Sequence, residues 1–294
     1  MTSRDQPGPA EGINTSIPNP ARIYNALLGG KYSFPADRAA AHDLLNLAPQ
    51  ARRGAKENRA FLQRAVQFLA AEAGIRQFLD IGTGLPAGGN VHQIAQAIAP
   101  DARVVYVDND PVVHVHANAL LADNTTTVAV LADLREPAAI LDHPDVRRLL
   151  DFTRPVAVLL VVVLHFITDA QDPAGIVAQL REAITPGSFL AISHATGDFH
   201  PQVGAKAAEV YRQASAPLVL RSRTQIARLF DGFDLVAPGL VQPASWRPND
   251  QGQGTRSAGG FYSGVARRHG AAAEADSVDK QGGEMPTGRK VVGD

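Results

Sequence analysis

Phe78-Leu79-Asp80-Ile81-Gly82-Thr83-Gly84-Leu85-Pro86 is the stretch that decides how this chain folds. An apolar run brings the backbone to a carboxylate and then to a turn containing two glycines. Glycine lets a backbone come close to a ligand, and free N–H groups at the start of the next helix can face it. Ordinary strand-to-helix turns use Gly-x-Gly as well, so the tripeptide is weak alone. Asp80 sharpens it: a carboxylate at the strand end repels a pyrophosphate and suits a cation.

Outward from this turn, strands and helices alternate. RVVYVD (103–108) reads as a β-branched strand ending in acid, and TVAVL (127–131) as another. VAVLLVVVL (156–164) is apolar throughout, as expected of a central strand covered on both faces. Helical patterns over 91–99, 111–122 and 173–184 separate these runs, and 188–194 forms a further strand. This is the rhythm of a doubly wound α/β sheet with helices on both faces. A helix over 203–215 and capping-box spacing from Ser222 to Gln225 follow. Two strands, 234–241 and 260–267, are then joined by a Pro/Asn/Gly/Gln-rich loop. That predicts a C-terminal antiparallel hairpin at the sheet edge, where a dinucleotide dehydrogenase would continue with parallel strands.

Upstream, three helices are expected. The first is capped by Asn19 with Pro20 at its first position, the second follows Phe34-Pro35, and the third runs over 51–73. The predicted organisation is a disordered leader over 1–17, an N-terminal helical extension over 18–74, the ligand-binding domain over 75–268 and a disordered tail over 269–294. The chain has 294 residues, 45% of them hydrophobic, enough for one large core. Its net charge of −1 gives bulk electrostatics no reason to favour nucleic acid, and it contains no cysteine for disulfides or thiolate chemistry. The longest apolar run is too short to span a bilayer, and 1–17 lacks the apolar core of a signal peptide; a cytoplasmic location and no membrane partner are expected. His114 and His116 lie on different helix faces, and no ligand motif such as HExxH accompanies them, so no metal is expected.

The acids set the ligand. Asp80 suits the cationic amino-acid end of S-adenosylmethionine. Asp108 ends the next strand, where a carboxylate can accept hydrogen bonds from both ribose hydroxyls. Asp110, just before Pro111, fits the cap of the following helix better, which frees Asp108 for the ligand. Asp133 follows the third strand at the level of an adenine, with the alternative that it is a solvated loop acid. Gly82, Thr83, Gly84 and Asn109 complete the expected cofactor contacts. Where the central strand opens, His165 is the first candidate for a catalytic base and His194 the second; a loop histidine without special function is the competing reading of each. Arg22, Tyr24, Lys31 and Phe166 are candidates for the substrate pocket, against the plainer reading that Tyr24 docks its helix.

Several strings together carry a family resemblance: PNPARIYNALLGGK (18–31), NRAFLQRAV (58–66), FLDIGTGLP (78–86), ARVVYVDNDPVV (102–113), VLHFI (163–167) and GSFLAISHAT (187–196). In combination they resemble the actinobacterial S-adenosylmethionine-dependent methyltransferases formerly catalogued as a domain of unknown function. The resemblance implies a Rossmann-like class I methyltransferase fold with an N-terminal helical addition. It also implies cofactor contacts from Asp80, Gly82, Gly84, Asp108 and Asp133. No Asn/Asp-Pro-Pro-Tyr stretch follows the fourth strand, and with the near-neutral charge this favours a small-molecule acceptor. Two other readings stand beside it. One is a non-catalytic S-adenosylmethionine-binding regulatory protein. The other is an NAD(P)-dependent oxidoreductase, since Gly82, Gly84 and Ala87 spell a loose G-x-G-x-x-A.

Overall fold

The computed structural model describes residues 13–121, 124–248 and 257–270. Its centre is β1 (Gln77–Ile81), buried at every residue. Parallel partners flank it: β2 (Arg103–Asp108) on one side and β4 (Ala157–Val161) on the other, with Asp80 level with Tyr106 and Leu159. β3 (Thr127–Leu131) pairs beyond β2, and β5 (Phe189–Ala195) beyond β4. β7 (Phe261–Arg268) runs antiparallel to β5 and to β6 (Phe233–Leu235). The order across the seven-stranded sheet is β3-β2-β1-β4-β5-β7-β6.

Alternate residues of the central strands feed two cores, as a pleat requires. Leu79, Val105, Val158, Leu160 and Ile192 face one side, where α6 (Pro137–Leu141), α7 (Pro144–Leu149), α8 (Pro173–Ala183) and α10 (Arg223–Arg228) cover them. Phe78, Val104, Tyr106 and Leu159 face the other, beneath α3 (Ala51–Ala71), α4 (Val91–Ile98) and α5 (Pro111–Leu121). A third, smaller core joins α1 (Pro20–Leu27), α2 (Pro35–Leu47) and α9 (Pro201–Tyr211) through Ile23, Leu27, Leu44 and Tyr211.

The N-terminal helices therefore do two jobs. α3 is no extension: Phe61, Leu62, Ala65 and Leu69 pack into the main core, and Phe61 meets the fully buried Trp246 edge-on at 5.4 Å. Only α1 and α2 cap the sheet. α1 begins as its sequence demands, with the Asn19 side chain accepting the Ala21 N–H at 2.8 Å.

Three further expectations change in detail. The C-terminal strands are antiparallel, but β7 lies inside the sheet and β6 alone forms that edge. β6 stops early because Pro238 offers no N–H to the ladder, and the chain regains β7 only at the Val241–Ser263 bridge. The apolar run over 156–164 is strand only through Val161; Val162 turns out with φ 63. Within the expected leader, Ile13 packs against the Leu85, Val112 and Val113 cluster, and the Asn14 carbonyl receives Arg22. The rest of that leader, 1–12, and tail residues 271–294 lie outside the described residues. No helix among the described residues is long and apolar enough to cross a membrane.

Candidate functional site

A cleft of about 430 Å³ opens above the carboxyl ends of β1, β2 and β4, where open α/β sheets bind ligands. Its floor is the turn after β1. Gly82 has φ +72, and a Cβ there would lie 2.3 Å from Val163 Cγ2. Val163 stands so close because Val162 leaves the strand region, while the Val162 N–H still reaches the Ser193 carbonyl at 3.1 Å. Such a backbone conformation is costly for a β-branched residue and concentrates at functional sites. Gly84, with φ +66, would point a Cβ into open space, so the cleft approaches its backbone directly.

Two carboxylates face this floor. Asp108 accepts the Gly84 N–H at 2.8 Å on one oxygen and the Asp110 N–H at 3.0 Å on the other. Asp80 accepts the Thr83 hydroxyl at 3.1 Å. They are only 8% and 4% exposed, and neither forms an ion pair among the described residues. Burial is the main reason both are harder to ionise. Asp80 is pushed up to about 7, offset in part by the Thr83 hydrogen bond and the nearby Arg59 charge. Asp108 is pushed up to about 6, offset in part by the Asp110 and Gly84 N–H groups. Two buried acids with spare lone pairs and no ion-pair partner among the described residues can accept donors from a ligand.

Asp133 differs. Burial pushes it up, but hydrogen bonds from the Arg135 side chain and backbone and from Asn109 outweigh this and bring it down to about 2. Asn109 Nδ2 donates to it at 3.1 Å, and Arg135 closes a salt bridge from the other side. Asp110 serves as the helix cap: its carboxylate accepts the Val112 N–H at 2.9 Å and pairs with Arg22 at 3.0 Å.

All seven expected cofactor residues, Asp80, Gly82, Thr83, Gly84, Asp108, Asn109 and Asp133, line this one cleft. Of the substrate candidates, Tyr24 and Phe166 line it and Arg22 and Lys31 do not. Arg22 is instead held behind the floor between Asp110 and Asp37, and Lys31 is solvent-exposed after α1. Tyr24 donates its hydroxyl to the Ala55 carbonyl at 2.8 Å, docking α1 on α3. His165 lines the cleft, whereas His194 lies behind it with both ring nitrogens engaged, at 2.7 Å from the Ala195 carbonyl and 3.0 Å from Arg221. Burial lowers both histidines, His194 to about 4 and His165 well below its ordinary value. Among the described residues, no group of three or more His, Asp or Glu converges as a metal site.

Sequence reading missed Asn58 and Arg59. Arg59 spans the loop after the floor, donating to the Ala87 and Gly89 carbonyls and, at 2.8 Å, to Asn90 Oδ1. Asn58 is fully buried at the cleft wall, its Oδ1 without a partner among the described residues. A signal was available: Asn58 falls on the same helical stripe as Leu62, Ala65 and Leu69, a polar residue where the period calls for an apolar one. The α9 wall, including Val203 and Tyr211, carried no comparable signal.

The strand order, the reversed β7 and a ligand cleft over the β1 and β2 acids define a class I methyltransferase architecture. Residues 6–269 match the model of the S-adenosyl methyltransferase family, and the chain belongs to that family. It is similar to a protein of Streptomyces avermitilis from a family of unknown function, with 43% identity and a TM-score of 0.83, over 86% of this chain and 98% of that one. It is equally similar to a candidate methyltransferase of Thermobifida fusca, with 42% identity and a TM-score of 0.83, over 89% and 99%. No curated protein matches it. The actinobacterial resemblance seen in the sequence is thus shown, the protein is an S-adenosylmethionine-dependent methyltransferase, and the oxidoreductase reading falls. The residues present fit that cofactor: the buried acids, without ion-pair partners among the described residues, suit an ammonium group and a pair of hydroxyls, and the backbone at Gly84 is open to close approach.

Proposed function

We propose that the protein methylates a small molecule seated between the cofactor floor and the α1, α2 and α9 helices. The observation that carries this reading is the pair of buried, unpaired carboxylates, Asp80 and Asp108, at one end of a cleft that continues into an apolar chamber. In this reading Asp80 receives the cofactor's ammonium group and Asp108 its ribose hydroxyls. Asn109 and Asp133 flank the adenine, and the backbone of Gly82, Thr83 and Gly84 forms the bed beneath it. When bound, S-adenosylmethionine supplies an electrophilic methyl on a sulfonium. The chain's own part is to align the acceptor and keep water out. The capping helices supply that enclosure, because Tyr24 ties α1 to α3 and Phe166 packs on Tyr211 with ring centroids 5.3 Å apart.

Calorimetric titration with S-adenosylhomocysteine and, separately, with NAD tests the floor. Binding of the former alone is expected; binding of NAD alone would sink the assignment. A purely regulatory binder would bind S-adenosylhomocysteine yet never pass label from S-adenosylmethionine to any molecule of an actinobacterial extract.

A further inference from the structure

Among the described residues, the acidic and basic side chains lining the cleft are all at one end. Arg59, Asp80, Asp108, Asp133 and Arg135 surround the floor, and no other described Asp, Glu, Lys or Arg lines the cavity. The remaining described wall presents alkyl, aromatic and uncharged polar groups, among them Leu27, Leu44, Val203, Tyr211 and Phe261, together with the solvent-exposed imidazole of His200. An ionised acceptor placed there would lose its hydration and gain no counter-charge from the described Asp, Glu, Lys and Arg residues.

A hydrogen-bond chain settles what His165 offers that chamber. Arg221 is only 5% exposed and donates to the Leu164 carbonyl at 3.2 Å, the Ile167 carbonyl at 2.9 Å and Asp169 Oδ1 at 2.6 Å. It also lies 3.0 Å from His194 Nε2. A guanidinium has no acceptor, so His194 Nε2 must accept and His194 Nδ1 carries the hydrogen. That hydrogen goes to the Ala195 carbonyl, 2.7 Å away. The Ala195 N–H in turn donates to His165 Nδ1 at 3.2 Å. With Nδ1 accepting, the proton of neutral His165 must sit on Nε2. Nε2 has no partner among the described residues, and its ring lines the cleft. His165 thus points an N–H into the chamber, where a base would need a lone pair. The Tyr24 hydroxyl is spent on Ala55, and burial raises the Tyr211 phenol.

We propose that the acceptor is an uncharged, largely apolar molecule, an arylamine or nitrogen heteroaromatic, that brings its own free nitrogen lone pair and an acceptor atom for the His165 Nε2–H. The nitrogen lone pair forms the new bond to the methyl carbon as the carbon–sulfur bond breaks, and the sulfur keeps that electron pair as a thioether. An arylamine nitrogen then releases its proton to water, and a heteroaromatic nitrogen keeps the positive charge that the sulfonium loses, so neither acceptor needs a base. This inference rests on the floor being the cofactor's end.

Size-matched probes test it on the full chain saturated with S-adenosylhomocysteine: 6-aminoquinoline, quinoline-6-carboxylate and N-methylquinolinium, each followed by equilibrium dialysis near neutral pH. The neutral amine is expected to bind more tightly than both ions by roughly tenfold or more, the least expected for burying a charge without a partner. An ion that binds as well as the amine, or no preference among the three, overturns the proposal. A protein that fails to take up S-adenosylhomocysteine overturns the underlying cofactor assignment instead. A separate readout is the nitrogen-15 spectrum of the histidines. A protonated Nε2 on His165 is expected across neutral pH, and an unprotonated one overturns the donor role whatever the probes do.

Discussion

At the floor of the cleft, β1 and β2 carry carboxylates at or next to their ends, and a third acid follows β3; at the roof, the described side chains by which α1, α2 and α9 line the cleft include no Asp, Glu, Lys or Arg. The floor is held by bonds within and between two neighbouring strand-end turns. The Gly82 and Gly84 conformations, the Asp108 bonds to Gly84 and Asp110, and the Thr83 bond to Asp80 all lie within the β1 and β2 turns. The roof is held by contacts between distant segments: Ser215 N–H to the Pro18 carbonyl at 2.8 Å, Tyr24 to Ala55, and the Ile23, Leu44 and Tyr211 cluster. The difference separates two tasks. A cofactor common to a family needs a bed of fixed geometry, while an acceptor is chosen by the shape and polarity of a wall that can vary without disturbing the bed.

Substitutions at the two ends should therefore behave differently. Gly82→Ala is expected to have the largest effect, because the new Cβ meets Val163 and the backbone conformation disfavours it. A stability loss of about 3 kcal/mol is expected from the combined strain and overpacking, read by denaturant unfolding, together with loss of S-adenosylhomocysteine binding. Wild-type stability would mean the turn relaxes and the floor is less rigid than drawn. Asp108→Ala is expected to weaken S-adenosylhomocysteine binding by about 1.5–3 kcal/mol, the range for hydrogen bonds to a charged group. Unchanged affinity in calorimetry would remove Asp108 from the ribose site.

The floor acids also set a pH dependence. In the free protein Asp80 and Asp108 hold protons up to about 7 and about 6, against an ordinary value of 3.8. Their contribution to stability is thus fully present below 3.8 and is lost as pH rises through 6 and 7. Asp133 has the opposite sign: its contribution is present above 3.8 and is lost as pH falls toward about 2. Ligand donors prefer the ionised acids, so affinity for S-adenosylhomocysteine should fall as pH drops from 8 to 5. Calorimetry across that range checks it, and a flat profile would mean the two acids do not meet the ligand. The smallest effect is expected at the roof. Tyr24→Phe loses one hydrogen bond to Ala55, worth about 1 kcal/mol of stability, and should leave S-adenosylhomocysteine affinity unchanged.

The contrast also explains what could be read from the chain. β2 and β3 keep their predicted limits, because a short run of β-branched residues is a local signal. β4 runs shorter than its apolar string, since a run of valines does not reveal that Val162 must turn to bring Val163 over Gly82. Lys31 looked like a pocket residue because it follows the α1 motif, yet whether a residue beyond a helix end turns inward is decided by the next contact. His194 is the second candidate, after His165, for an acid–base group at a strand end. Arg221, distant in sequence, is what takes one of its nitrogens, while the Ala195 N–H takes Nδ1 of its neighbour His165.

From its sequence alone, the protein's sheet, its Gly-rich turn and the acids over that turn follow, because backbone period and turn chemistry act over a few residues. Only the tertiary structure decides that α3 belongs to the core, that α9 joins α1 and α2 over the cleft, and that His165 presents a proton there. Those outcomes depend on which faces of distant segments meet, and packing between them has no signature in either segment taken singly.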